Sequence, residues 1–154
     1  MKAMLSDSKY MQMALEEAQK ALKGGDVPVG AVLVDFKGRV IGRGYNMREQ
    51  CSNPVLHAEI IALCQGSMAL NSWRLDNTTL FVTLEPCSMC AGALVNSRVS
   101  SLVFGACDLK AGAVVSRFGI CTDSSLNHTL KVRFGIMQQE CSSILVDFFK
   151  SKRI

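Results

Sequence analysis

A chain of 154 residues that is 49% apolar can bury a sizeable core in one domain, since a domain of about 150 residues hides roughly 70% of the surface its unfolded chain exposes. Seven cysteines, an odd number spread from Cys51 to Cys141, and the lack of a long apolar stretch in the first twenty residues argue against a disulfide framework and a secretory signal. A reducing cytoplasm is the expected setting, and no membrane is, because no apolar run approaches the ~20 residues needed to span a bilayer.

The net charge of +4 is unevenly placed. Residues 1–97 carry nine Lys and Arg against nine Asp and Glu, whereas 98–154 carry eight against four. Three of those positive charges close the chain in "KSKRI". Such a tail is ordinarily a solvated face; the alternative is a polyanionic partner.

From Tyr10 to Leu22, Met11, Ala14, Leu15, Ala18 and Leu22 recur at helical spacing, and Gly24-Gly25 supplies a stop. The runs 29–35 and 39–46 are short and β-rich, joined at Lys37-Gly38, which predicts a hairpin. "HAEIIALCQGSMAL" (57–70) has helical composition. Apolar strands are expected at 78–84 and 99–106, separated by the helix-like "CSMCAGALVNS", a pattern that predicts a parallel pair with a crossover. "LKVRFGI" is a candidate fifth strand after a Gly-rich loop around 110–119. A final amphipathic helix carries Cys141, Ile144, Leu145 and Phe148 on one face, with Lys150, Lys152 and Arg153 at the negative end of its dipole. The expected fold is a three-layer α/β/α sandwich around a mixed, about five-stranded sheet, with 1–154 as one domain.

"LEPCSMCAGAL" (84–94) poses the functional question, because C-x-x-C serves redox dithiols, structural zinc knuckles and working metal sites alike. Only two histidines exist, His57 and His128, and His57 opens "HAE" thirty residues before Cys87. His57, Cys87 and Cys90 as three zinc ligands leave one tetrahedral position for water, the mark of a catalytic site. A redox dithiol gives no use for His57 and Glu59. Cys87 and Cys90 share one face if they sit in the first turn of a helix, where Pro86 is tolerated and unpaired N–H groups favour thiolate. His57 and Glu59 would point about 200° apart inside a helix, but at a helix entrance both can turn to the open end. Two helix N-termini facing one zinc are therefore expected. Two thiolates and an imidazole leave the zinc formally neutral, so a bound water can ionise near neutral pH. Glu59 can then shuttle its proton to a ring nitrogen and a leaving amine, which is hydrolytic deamination chemistry.

H-x-E followed by P-C-x-x-C is a recognised zinc-deaminase signature. With "VPVGAVLV", "GYN", "HAEIIAL", "VTLEPCSMCAGAL", "VFGACD" and "DFFKSKR" in order along the chain, the sequence resembles the bacterial tRNA-specific adenosine deaminases of the TadA type, in the cytidine deaminase-like superfamily. The resemblance implies one zinc per subunit on His57, Cys87 and Cys90, Glu59 as catalytic proton shuttle, Asn46 in the base pocket and Asp108 near the ribose. It also implies adenosine-to-inosine conversion at the tRNA wobble position, an anticodon stem-loop as partner and a homodimer. Phe148 suits the buried helix face and Phe149 a splayed base. Asn127-His128 resembles a family pair, but His128 is not expected to be a ligand. Cys107 and Val115 depart from the family pattern, at the expected rim of the substrate groove. Two alternatives remain: a deaminase of free bases or nucleotides (guanine, cytosine or deoxycytidylate), and a noncatalytic zinc-binding RNA scaffold.

Overall fold

The computed structural model describes residues 5–152. Helix α1 (Asp7–Lys23) starts three residues before its apolar repeat, because the Ser6 hydroxyl caps it by accepting from the Lys9 N–H, and it ends at Gly24. Strands β1 (Gly30–Val34) and β2 (Val40–Tyr45) form the expected antiparallel hairpin. Its turn is fastened by the Asp35 carboxylate, which accepts from the N–H groups of Lys37 and Arg39 at 3.0 and 2.9 Å. A single turn, α2 (Arg48–Cys51), was not foreseen. The buried Asp26 carboxylate creates it by accepting from Glu49 N–H and Gln50 N–H, a contact across 23 residues that leaves no local sequence signal.

Helix α3 (Ala58–Leu70), strand β3 (Thr79–Leu84), helix α4 (Ser88–Asn96) and strand β4 (Ser101–Ala106) follow, and β3 and β4 are the expected parallel pair around a crossover helix. A 3₁₀ turn (Ile120–Thr122) precedes β5 (Lys131–Phe134) and α5 (Gln138–Lys152). The sheet order is β2-β1-β3-β4-β5, with β1 antiparallel to both neighbours and β3, β4 and β5 parallel. It is the mixed five-stranded sheet, covered by helices on both faces, that the pattern of elements predicted. Among the described residues no helix is long and apolar enough to cross a membrane.

Both faces of the central strands are buried, as strands covered on two sides require. One face packs Val32, Val34, Phe81 and Val103 under α1 and Cys141 of α5. There Tyr10 lies against Phe81, ring centroids 4.9 Å apart, while its hydroxyl donates to the Gly38 carbonyl at 2.7 Å, so the buried ring leaves no polar atom unpaired. The other face packs Leu33, Leu80, Val82, Leu102 and Phe104 under α3 and α4.

Helix α3 sits unusually close to the sheet. A Cβ on Gly42 or Gly44 of β2 would overlap the carbonyl oxygens of Ala62 or Ala58, so the two glycines let the helix backbone rest directly on the strand. Ala58, Ala62 and Gly66 present the matching small face. This contact fixes the height of the α3 entrance over one end of the sheet. To that end come Asn46 after β2, Glu85 after β3, Asp108 after β4 and Val29 before β1, because β1 runs against its neighbours.

Candidate metal centre and active site

His57 is the N-cap residue of α3 and Cys87 the N-cap residue of α4, both in extended backbone conformation. Neither side chain caps its own helix. Each turns toward the other, and the two helix entrances face a shared point, as the motif spacing predicted. Cys90, in the first turn of α4, is fully buried. One donor atom from each of His57, Cys87 and Cys90 lies within 4.8 Å of the others, and no other such cluster occurs among the described residues.

The donor set fits zinc. Zinc–sulfur and zinc–nitrogen bonds of ~2.3 and ~2.0–2.1 Å at a tetrahedral angle give a sulfur-to-nitrogen edge of about 3.5–3.6 Å. Both sulfurs stand 3.6 Å from His57 Nδ1. It is thus Nδ1 that faces the thiols, a detail the sequence left open.

Charge makes the same point. Hydrogen bonding from Cys90, with help from His57, pulls the Cys87 thiol down to about 3, against the opposing effect of burial. Cys90 is driven far up, first because its hydrogen bond to Cys87 holds the proton and then by burial and by Glu59. His57 is raised, chiefly by its hydrogen bond to Cys87. In so small a volume each thiolate disfavours the other, and a cation between them would remove that cost.

Glu59 is the second residue of α3 and is 4% exposed. Burial raises its carboxyl, opposed by its backbone hydrogen bond and the neighbouring His57. It lines, with His57 and Cys87, a cavity of about 210 Å³ whose walls also include Val29, Asn46, Arg48, Leu84 and Asp108. Asn46 is buried, and its Oδ1 accepts from the Ala58 N–H at 2.9 Å, so it fastens the α3 entrance that carries His57 and Glu59. Asp108 caps a turn: its Oδ1 accepts from the N–H groups of Lys110 and Ala111 at 3.0 and 3.1 Å. The ordinary turn role and the place in the cavity wall coexist in one side chain.

The cavity opens, across Val27, Leu84, Asp108 and Ala111, into a groove of about 660 Å³ that Cys107, Leu109, Lys110, Phe149 and Lys150 also line. Phe148 is buried and Phe149 is 47% exposed, the division expected of them. Cys107 and Val115 are both exposed, Cys107 in this groove. Lys150 and Lys152 close α5, while Arg153 lies outside the described residues. His128 is not near the metal donors; its Nε2 donates to the Val99 carbonyl at 2.6 Å.

Two charged wall residues escaped the sequence reading. Arg48, on the unforeseen turn α2, carries no motif. Glu85 is 2% exposed and accepts hydrogen bonds from residues 23 to 31 positions ahead in the chain. An acidic residue at the end of an apolar strand was the one available signal.

The comparisons with known proteins converge on this geometry. Residues 4–106 match the family model described as the cytidine and deoxycytidylate deaminase zinc-binding region. The chain is 52% identical over 147 residues to the tRNA-specific adenosine deaminase of Haemophilus influenzae, covering 96% of this chain and 85% of the relative. It is 43% identical over 150 residues to the enzyme of that name from Bacillus subtilis, covering 97% and 92%. A solved structure from a study of A-to-I editing by tRNA:A34 deaminases at the wobble position superposes with a TM-score of 0.86 at 39% identity, covering 90% of this chain and 99% of that one. A guanine deaminase from Nitrosomonas europaea shares the fold, with a TM-score of 0.81 at 21% identity over 96% and 86% of the two chains. A three-donor centre at two helix entrances, a buried glutamate beside it and these matches place the chain in the zinc-dependent cytidine and deoxycytidylate deaminase family.

Proposed function

We propose that this protein hydrolytically deaminates adenosine to inosine at the wobble position of a tRNA anticodon, with residues 1–154 acting as one deaminase domain. The observation that carries the reading is the His57–Cys87–Cys90 donor set with buried Glu59 beside it in a cavity of about 210 Å³. The tRNA-specific relatives, alike over nearly the whole chain, support the substrate. A splayed anticodon loop lowers the cost of extruding the target base, otherwise a few kcal/mol.

His57 through Nδ1, Cys87 and Cys90 would hold one zinc, which supplies the Lewis acidity that lets a water lose a proton near neutral pH. Glu59 takes that proton as the oxygen–C6 bond forms and passes it to the adjacent ring nitrogen. It then takes the second proton, from the hydroxyl now on C6, and delivers it to the amine as the C6–nitrogen bond breaks, leaving a carbonyl at C6 and releasing ammonia. Burial raises the Glu59 carboxyl above its ordinary value, the direction that suits a group which both accepts and donates a proton. Asn46 has spent its Oδ1 on α3, leaving its amide nitrogen to donate to the base. Asp108 has spent Oδ1 on its turn, leaving Oδ2 to accept from a ribose hydroxyl, a way of preferring RNA. The groove supplies Lys110 and Lys150 for phosphates and Phe149 for a stacked base.

A cytoplasmic setting and a homodimer belong to the same proposal. The seven cysteines are all unpaired, which suits a reducing compartment. Helix α3 is apolar nearly all round, a composition that calls for burial on more than one side. Its outer face joins α4 in an apolar surface of Ile60, Leu63, Met68, Trp73 and Ala93, with Met68 82% and Trp73 62% exposed. A second copy covering this face would put each interface against the helices that carry the metal donors. Sedimentation equilibrium should show two subunits, with Met68→Asp shifting the mass toward 16.7 kDa; a wild-type monomer at micromolar concentration contradicts the pairing.

Turnover on an anticodon stem-loop should exceed that on free adenosine, guanine and cytidine by orders of magnitude. Equal or better turnover on a free base or nucleoside would defeat the tRNA reading, and zinc-loaded protein inert on every substrate would favour a scaffold.

Glu59→Ala should retain stoichiometric zinc while losing at least about 10²–10⁴-fold in kcat, whereas Cys87→Ala should release metal and lower thermal stability. Zinc loss in the first or full zinc in the second would reverse the assignments.

A further inference from the structure

Glu85 precedes Pro86 and Cys87, yet its carboxylate does not turn toward the metal donors. It collects five hydrogen bonds from one loop. Oε1 accepts from the Asp108 N–H at 3.0 Å and from the Ser116 hydroxyl. Oε2 accepts from the N–H groups of Val114, Val115 and Ser116 at 3.1, 2.9 and 2.9 Å. Gly112 lies against this carboxylate so closely that a Cβ there would overlap it. The loop in question, 108–116, places Asp108 and Ala111 in the cavity wall and Lys110 in the groove.

We infer that Glu85 is a positioning residue, the tie that holds the 108–116 loop as the substrate wall of the cavity opposite the α3 entrance. The physical case rests on donor and acceptor counting. Successive backbone N–H groups in a loop have no sheet or helix partner, and leaving them unpaired in a buried place is costly. A carboxylate is acceptor-only on both oxygens and can take all five donors, whereas an amide of the same shape would turn an N–H₂ toward N–H groups. The tie also joins two strand ends, Glu85 after β3 and Asp108 after β4, so the wall is referred to the same segment that carries Cys87 and Cys90. Neither oxygen needs the metal or the substrate for its partners, which separates Glu85 from Glu59 although both line the cavity.

The functional half of this inference rests on the cavity being the nucleoside site proposed above. Glu85→Gln should leave zinc stoichiometry at one, speed amide hydrogen exchange at Asp108, Val114, Val115 and Ser116 by about tenfold or more, and raise KM for the stem-loop about tenfold with kcat within about threefold. Gly112→Ala, whose Cβ would overlap both the Glu85 carboxylate and the Asp108 carbonyl oxygen, should give the same signature in a chain that keeps Glu85. Ser116→Ala should shift exchange and KM the same way by less, and these two variants carry the test if Glu85→Gln fails to fold. Unchanged exchange across the loop, zinc loss in Glu85→Gln, or a collapse of kcat at unchanged KM would each overturn the role. If wild-type protein fails to deaminate the stem-loop, the functional reading falls, while the exchange measurement still decides the tie.

Discussion

Two thiolates do not share a buried volume a few ångströms across with a neutral imidazole unless something positive joins them, and the rest of this fold can be understood as the arrangement that makes such a meeting possible. The positive ends of α3 and α4 meet where the sulfurs and Nδ1 lie; each helix lends its N-cap residue, and α4 adds Cys90 from its first turn. Had His57 and Cys87 capped their own helices, the donors would have been spent on backbone N–H groups. In α3 that group goes instead to Asn46, which takes the first N–H from the end of a neighbouring strand.

Sheet order explains why the two entrances coincide. A parallel β3–β4 pair forces a crossover, α4, whose start sits at the end of β3. The antiparallel β1–β2 hairpin brings the end of β2, and with it Asn46 and the start of α3, to that same end of the sheet. Gly42 and Gly44 set α3 down on β2 at close range. The cavity is thus framed by strand ends, as in α/β folds generally, and the groove that continues from it reaches Lys150 in the last turn of α5.

What could be read from the chain alone follows the range of the interactions. Strand and helix faces repeat within a few residues, so α1, the hairpin, the β3–α4–β4 unit and α5 were all legible, as was the α1 stop at Gly24-Gly25. The meeting of His57, Cys87 and Cys90 was legible because histidines are scarce here, and because H-x-E makes sense only at a helix entrance. Features built by contacts between distant residues left no such mark. The turn α2 exists because Asp26 reaches Glu49 and Gln50, and the wall loop is fixed by Glu85 from 23 or more residues away. Asp108 shows the limit in a third way. Its turn-capping oxygen is a local property that any Asx turn displays, and only the fold reveals that the same residue stands in the cavity.

The central claim is that one zinc is held by Nδ1 of His57 and the two thiolates of α4, with a fourth position open. Zinc K-edge X-ray absorption on the purified protein reads that coordination directly. The account predicts two sulfur scatterers at about 2.3 Å and two nitrogen or oxygen scatterers at about 2.0–2.1 Å, with the outer-shell imidazole pattern of a single histidine. A four-sulfur shell, one sulfur, or two histidines would contradict it.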